Sequence, residues 1–254
     1  MIKLTNFSIG YDADQMLIET CDAEFLGGSV TALIGRNGAG KSTLLKAIAG
    51  LNRSYLGEVV IKGSPIANLE PIEIAKSVAF VGTSRPRVAN LTCREVVATG
   101  RAPYTDWIGR LGAADREIVE SAIHTIGLNR YADRPINSLS DGECQRVMIA
   151  RAMAQSASII LLDEPTSYLD MPSRYELVLL LRRLAHDEGK CILFSTHELD
   201  VAMQLCDNVA LVAEKTIVNK PAREMAIDSR FSEMFAVAGL KFNPTSGSFN
   251  IEYD

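Results

Sequence analysis

Hydrophobic and polar positions alternate over residues 2–11 and 17–26, the period-two signature of strands that bury one face. Residues 30–34 form instead a short unbroken apolar run that ends at Gly35, and residues 78–81, 159–162, 191–196 and 209–212 repeat that form. Such runs belong to strands covered on both faces, as in a parallel sheet. Between them the period lengthens. A helix is expected from Lys41 to about Leu51, ended near Gly50, and another begins at Pro172 with Leu177, Leu180, Leu181 and Leu184 on one stripe. A further helix follows His197. The pattern predicts an α/β fold with a mainly parallel, helix-covered sheet and an antiparallel β portion at the N-terminus.

Helical patterns take over from about residue 84 to 157, where Val119, Ala122, Ile123 and Ile126 recur at i, i+3, i+4 and i+7. This stretch is expected to be a helical subdomain inserted between core segments at about 1–83 and 158–220. After Pro221 the chain ends in Asn, Ser, Gly and Thr residues, which reads as a short surface tail over about 221–254. The whole of 1–254 is read as a single domain.

Composition narrows the functions available. Hydrophobic residues at 47% and charged residues at 22% describe an ordinary globular chain. With 26 basic and 31 acidic residues, the net charge of −5 provides no general basic field, so no nucleic-acid partner is expected. The five cysteines have neither CxxC nor metal-ligand spacing and read as reduced, mostly buried thiols of a cytosolic protein. No uncharged apolar run approaches the roughly 20 residues that span a bilayer, so a membrane role would run through partners.

Candidate chemistry starts at Gly35-Arg36-Asn37-Gly38-Ala39-Gly40-Lys41-Ser42, which fits G-x-x-x-x-G-K-[ST] between a strand and a helix. Glycines let successive backbone N–H groups curl around phosphate oxygens, and the helix start adds partial positive charge. Lys41 can reach the β- and γ-phosphates and Ser42 can ligate Mg²⁺. The strand at 159–162 delivers Asp163 and Glu164 at its C-terminal end. Consecutive strand residues point opposite ways, so one carboxylate is expected to hold Mg²⁺ and the other to polarise the attacking water. His197, at another strand end, can hydrogen-bond the γ-phosphate or orient that water. His124 and His186 lie on helical surfaces and carry no such argument.

Together these residues resemble the nucleotide-binding domain of ABC transporters, and the likeness extends over nearly the whole chain. Beside the Walker A loop, Leu161-Leu162-Asp163-Glu164-Pro165 resembles Walker B, Leu139-Ser140-Asp141-Gly142-Glu143 the ABC signature, and Ser167-Tyr168-Leu169-Asp170 the D-loop. His197 stands where the family has its switch histidine, and Tyr11 where an aromatic stacks on adenine. The resemblance implies a P-loop NTPase core with ATP and Mg²⁺ as cofactors. Tyr11, Gly35, Asn37, Gly38, Ala39, Gly40, Lys41, Ser42, Thr43 and Asp170 would bind the nucleotide, with Ser140 and Gly142 acting in trans on the nucleotide of a second copy. Glu164, His197 and Lys41 would be catalytic, and Ser42 and Asp163 would hold the metal. The implied assembly is a homodimer of ATPase subunits on transmembrane permease subunits carried by other chains, served indirectly by a solute-binding protein, at the cytoplasmic face of the membrane.

Two departures stand out. Thr83 occupies the place of a glutamine that touches Mg²⁺ and water, and its shorter side chain can act only through its hydroxyl or a bridging water. In the signature, Asp141 replaces a glycine and Glu143 a glutamine; these carboxylates are assigned to the helix start, away from bound phosphate. The lobe segment Thr99-Gly100-Arg101-Ala102-Pro103-Tyr104-Thr105-Asp106-Trp107 resembles that of ATPases serving importers of iron chelates, haem and cobalamin. A non-transport ABC ATPase and an exporter subunit are the alternative functions.

Overall fold

The structure is a computed structural model and describes residues 1–10, 15–83, 91–235, 240–243 and 248–251. It opens with β1 (Ile2–Gly10) and β2 (Met16–Phe25), which pair antiparallel. β3 (Ser29–Gly35) leads through the glycine loop into α1 (Lys41–Ile48), and β4 (Tyr55–Ile61) with β5 (Ser64–Pro65) return to a first sheet of order β2-β1-β4-β5. α2 (Pro71–Ser77) precedes β6 (Val78–Val81). α3 (Cys93–Ala98), a 3-10 turn at Thr99–Tyr104, α4 (Ala113–Thr125) and α5 (Asp141–Ala154) then pack on one another as a helical lobe. β7 (Ile159–Asp163), α6 (Met171–Glu188), β8 (Cys191–Ser195), α7 (Leu199–Leu205), β9 (Asn208–Ala213) and β10 (Thr216–Pro221) complete a second sheet of order β10-β9-β3-β8-β7-β6. α8 (Ala222–Met225), α9 (Ser229–Phe235) and the hairpin β11 (Leu240–Asn243) and β12 (Ser248–Ile251) follow.

The unbroken apolar runs are explained by burial on both sheet faces. Val30, Ala32, Ile160, Leu162, Ile192 and Phe194 belong to one core, while Leu33, Ile159, Leu161, Cys191 and Leu193 belong to the other. The first core takes in α6 and the lobe stripe of Val119, Ala122, Ile123 and Ile126; the second takes in α1 and the first sheet. All pairings among β9, β3, β8, β7 and β6 are parallel, and β10 joins β9 as an antiparallel edge. Cys21, Cys93, Cys191 and Cys206 are buried and Cys144 half-buried, and burial pushes the Cys191 thiol up to about 11.

Polar contacts brace the lobe internally through Arg101 and tie it to the sheet through Arg151 and Gln155. Arg101, 5% exposed, donates from Nε to Asp115 Oδ1 (2.9 Å) and from Nη1 to the Ala154 carbonyl (2.9 Å), with its guanidinium 3.9 Å from the Tyr104 ring centroid. Arg151 and Gln155, at the end of α5, donate to the Phe80 and Val78 carbonyls of β6 (2.9 and 2.8 Å). The Thr99–Tyr104 turn is therefore also a packing joint of the lobe.

The segment after Pro221 is not a surface tail throughout, because Ala222, Met225 and Phe231 are buried in the main core. Helices as short as α8 and α9 present no repeating stripe by which sequence periodicity could detect them. The expected start of the lobe near residue 84 lies outside the described residues. Replacing Phe231 with Ala is expected to lower unfolding free energy by about 3 kcal/mol, measured by urea denaturation; a loss under about 0.5 kcal/mol, usual for a surface site, would contradict its burial.

Candidate nucleotide site

The C-terminal ends of adjacent parallel strands converge here, the usual place for a ligand on an open α/β sheet. Asp163 ends β7 opposite Ser195 of β8. The Ser195 hydroxyl donates to Asp163 Oδ1 (2.7 Å), and the Ser42 hydroxyl of α1 donates to the same oxygen (2.9 Å). Asp163 is 3% exposed and Ser195 fully buried, so these bonds compensate a carboxylate that would otherwise be costly to bury. Ser195 also accepts from the Glu164 N–H (2.9 Å).

That last bond matters because Glu164 has φ of 50°, the left-handed region. Such a conformation costs a non-glycine residue about 1 kcal/mol, and the Ser195 contact holds it. The turn sends the two carboxylates different ways. Asp163 stays inside, whereas Glu164 emerges half-exposed with Oε1 3.1 Å from His197 Nε2.

Beside them the glycine loop is shaped for close approach. Gly38 and Gly40 have φ of 80° and 100°, and a Cβ on Gly40 would stand 3.0 Å from Leu17 Cβ. α1 starts at Lys41, so the N–H groups of Lys41, Ser42 and Thr43 stand in its first turn, where no helical carbonyl precedes them. The Ala39 N–H is engaged by the Arg36 carbonyl (3.1 Å), while Asn37 and Gly38 are exposed. Lys41 donates from Nζ to the Gly35 and Arg36 carbonyls (2.8 and 3.2 Å). Burial pulls the Lys41 pKa below its ordinary value, opposed by Glu164 and Asp163. The loop therefore concentrates positive charge and N–H donors at a point faced by two carboxylates.

These residues fit a nucleotide with a divalent cation. No cluster of three or more His, Cys, Asp or Glu suited to a metal occurs among the described residues. A hard cation would take oxygen from Ser42 and Asp163 and the rest from phosphate and water, the pattern of Mg²⁺ in phosphate sites.

A second cleft, of about 640 Å³, gathers Ser140, Gly142 and Asp170. Ser140 caps α5: its N–H and hydroxyl both donate to Glu143 Oε2 (2.8 and 2.8 Å). Hydrogen bonds from Tyr131 and from the Ser140 backbone hold the Glu143 carboxyl below its usual range. A Cβ on Gly142 would come 3.1 Å from Leu169 Cδ2, so the helix start packs closely on the turn before α6. Asp170 caps α6, accepting from the Ser173 N–H (3.0 Å). None of the glycine-loop residues lines this cleft. The site residues expected from sequence thus fall into two groups, with Gly35 to Thr43, Asp163, Glu164 and His197 in one and Ser140, Gly142 and Asp170 in the other.

Thr83 is exposed two residues beyond Val81, which pairs with Leu162, so it stands at a strand end neighbouring that of Asp163. Tyr11 lies outside the described residues. Ser195 is a site residue that no sequence motif marks. Its signal is a hydroxyl closing an apolar strand, legible only once the register with Asp163 is known.

Fold and site together define an ATPase of the P-loop class. A family model described as ABC transporter matches residues 18–167. The chain is 37% identical to an uncharacterised ABC transporter ATP-binding protein of Methanocaldococcus jannaschii, over 96% of this chain and 88% of that protein. It is 38% identical to the iron(3+)-hydroxamate import ATP-binding protein FhuC of Bacillus subtilis, over 86% of this chain and 81% of that protein. Among solved structures it resembles a dimeric bacterial ABC transporter cassette with a TM-score of 0.77 and 27% identity, over 87% of this chain and 99% of that one. The chain belongs to the ABC transporter family, as an ATP-binding and ATP-hydrolysing subunit.

Because Ser195 holds both Asp163 and the Glu164 backbone, Ser195→Ala is expected to lower ATP hydrolysis about tenfold or more while the fold is retained. Steady-state phosphate release beside a thermal melt checks this; an unchanged rate would show that Asp163 does not need the support.

Proposed function

We propose that two copies of this chain close head to tail over ATP and Mg²⁺ and power the uptake of an iron chelate, haem or a cobalamin-like compound. The observation that carries the dimer is the separation of the site into two clefts within one chain. One cleft has the glycine loop, Asp163, Glu164 and His197, and the other has Ser140 and Gly142 at a helix start. A helix start attracts anionic phosphate, and a second copy offers one to the first. The likeness to a dimeric cassette supports this reading. Permease subunits on other chains provide the transmembrane path, a solute-binding protein delivers the cargo, and the ATPase sits on the cytoplasmic face. The chain works as one unit, with a core at about 1–83 and 158–220 and a helical lobe at about 84–157 facing the permease. Among the described residues no helix is long and apolar enough to cross a membrane. The iron-hydroxamate relative and the Thr99 to Trp107 segment support the cargo class.

Within the site, Lys41 and the N–H groups of the loop hold the phosphates, while Ser42 and Asp163 hold the cation. Mg²⁺ held there would neutralise phosphate charge during transfer of the γ-phosphoryl group to water. Glu164 accepts a hydrogen bond from that water and draws off its proton; His197, 3.1 Å away, keeps the carboxylate aimed and reaches toward the γ-phosphate. Asp170, which lines the second cleft with Ser140, and Tyr11 would add to nucleotide binding, and Thr83 would offer its hydroxyl to the cation directly or through water. The N-cap role of Ser140 turns the Glu143 carboxylate back onto its own backbone and away from the incoming phosphate.

Glu164→Gln is expected to keep ATP binding, to cut turnover by about a hundredfold or more, and to accumulate an ATP-bound dimer. Size-exclusion chromatography with MgATP and single-turnover hydrolysis on the permease complex check it. Unchanged turnover there would remove Glu164 from this role.

A further inference from the structure

A cavity of about 430 Å³ opens beside the glycine loop. Gly38 and Ala39 of the loop border it, with Met16 and Leu17 of β2, Val212 of β9 and Met234 of α9 around them. Its position follows from the sheet order, in which β3 has β8 on one side and β9 on the other. Ser195, Asp163 and Glu164 lie on the β8 and β7 side, and the cavity lies on the β9 and β10 side.

A nucleotide whose terminal phosphate faces Asp163 and Glu164 therefore directs its nucleoside toward this cavity. The walls suit that end: thioether and aliphatic side chains match the flat faces of a base, and Arg230 and Glu233 at the border can meet its polar edge. Arg36, Glu214 and Lys215 complete the charged rim around these apolar walls.

α9 is held firmly enough to serve as a wall. Asp228, whose side chain is 5% exposed, accepts from Lys220 Nζ of β10 (2.7 Å) and from Arg230 Nε and Nη2 (3.0 and 2.9 Å). The Arg230 and Lys220 hydrogen bonds keep its carboxyl ionised far below the usual range. Phe231 is fully buried in the main core, and Met234 is half-buried against that core.

We propose that α9 forms the outer wall of the nucleoside compartment of the ATP site, with Met234 packing on the base. This rests on the ATP-binding reading given above. The base then adds contacts to α9, and by linkage a bound nucleotide stabilises the docked helix while loss of the helix weakens the nucleotide. The C-terminal segment thereby becomes part of the site's specificity for a nucleoside over bare phosphate.

The test uses the full chain, with calorimetric titration of MgADP and of magnesium pyrophosphate into wild type and Met234→Ala. ADP carries the nucleoside and pyrophosphate does not. The expected result is an ADP Kd about fivefold to tenfold weaker in the variant, with pyrophosphate affinity unchanged. Hydrogen exchange on the wild type should show α9 amides protected by ADP and not by pyrophosphate. Unchanged ADP affinity in Met234→Ala would overturn the wall, and so would equal weakening of both ligands, the mark of a general structural loss. A wild-type chain that binds neither ligand would instead overturn the ATP-site reading, and this proposal with it.

Discussion

A single buried carboxylate oxygen, Asp163 Oδ1, accepts hydrogen bonds from Ser42 and Ser195, and the arrangement of the site depends on it. The two hydroxyls come from α1 and β8, and the carboxylate from β7, so one acceptor fixes three separate elements to one another. A carboxylate 3% exposed cannot be left without such donors. Ser195 then extends the constraint by accepting from the Glu164 N–H, which holds the left-handed turn at that residue. Adjacent carboxylates thereby acquire different surroundings, one sealed and hydroxyl-bound, the other half-open against His197. The chemical division of labour proposed for them is a consequence of backbone geometry at one position.

The other half of the proposed composite site depends on α5. Ser140 caps its first turn, and its last turn is bonded through Arg151 and Gln155 to β6, the strand that runs toward Thr83. Arg101 clamps the same end of the helix to α4. A rigid helix with its distal end fixed at the sheet presents its capped start outward, and any tilt of the lobe moves that start. This gives a physical route by which a permease pressing on the lobe could alter closure over ATP in the proposed dimer.

Much of this fold was legible in sequence because its central strands are apolar on both faces and its site motifs are local. The runs at 30–34, 78–81 and 159–162 correspond to β3, β6 and β7, and the leucine stripe after Pro172 to α6. What escaped has no local pattern. β4 is interrupted by Gly57 and Glu58, and β10 is an edge strand with Asn219 and Lys220 among its residues. α8 and α9 are too short for a periodic stripe, and their buried residues are recognisable only from the core they enter. Ser195 escaped for a related reason: its importance comes from register with Asp163, a property of pairing between strands more than thirty residues apart. The glycine loop is a local motif, whereas the side chains that hold the site together come from separate elements.

The central claim is that one copy's glycine loop and the other's Ser140 helix start make a single hydrolytic site. Mixing two inactive chains tests it most directly, one with Lys41→Ala and the other with Ser140→Arg, assembled on the permease with MgATP. Each mixed dimer would contain one intact composite site, so hydrolysis should appear in the mixture although each variant alone is inactive. A mixture as inactive as its components, with mixed dimers shown to form, would contradict the account.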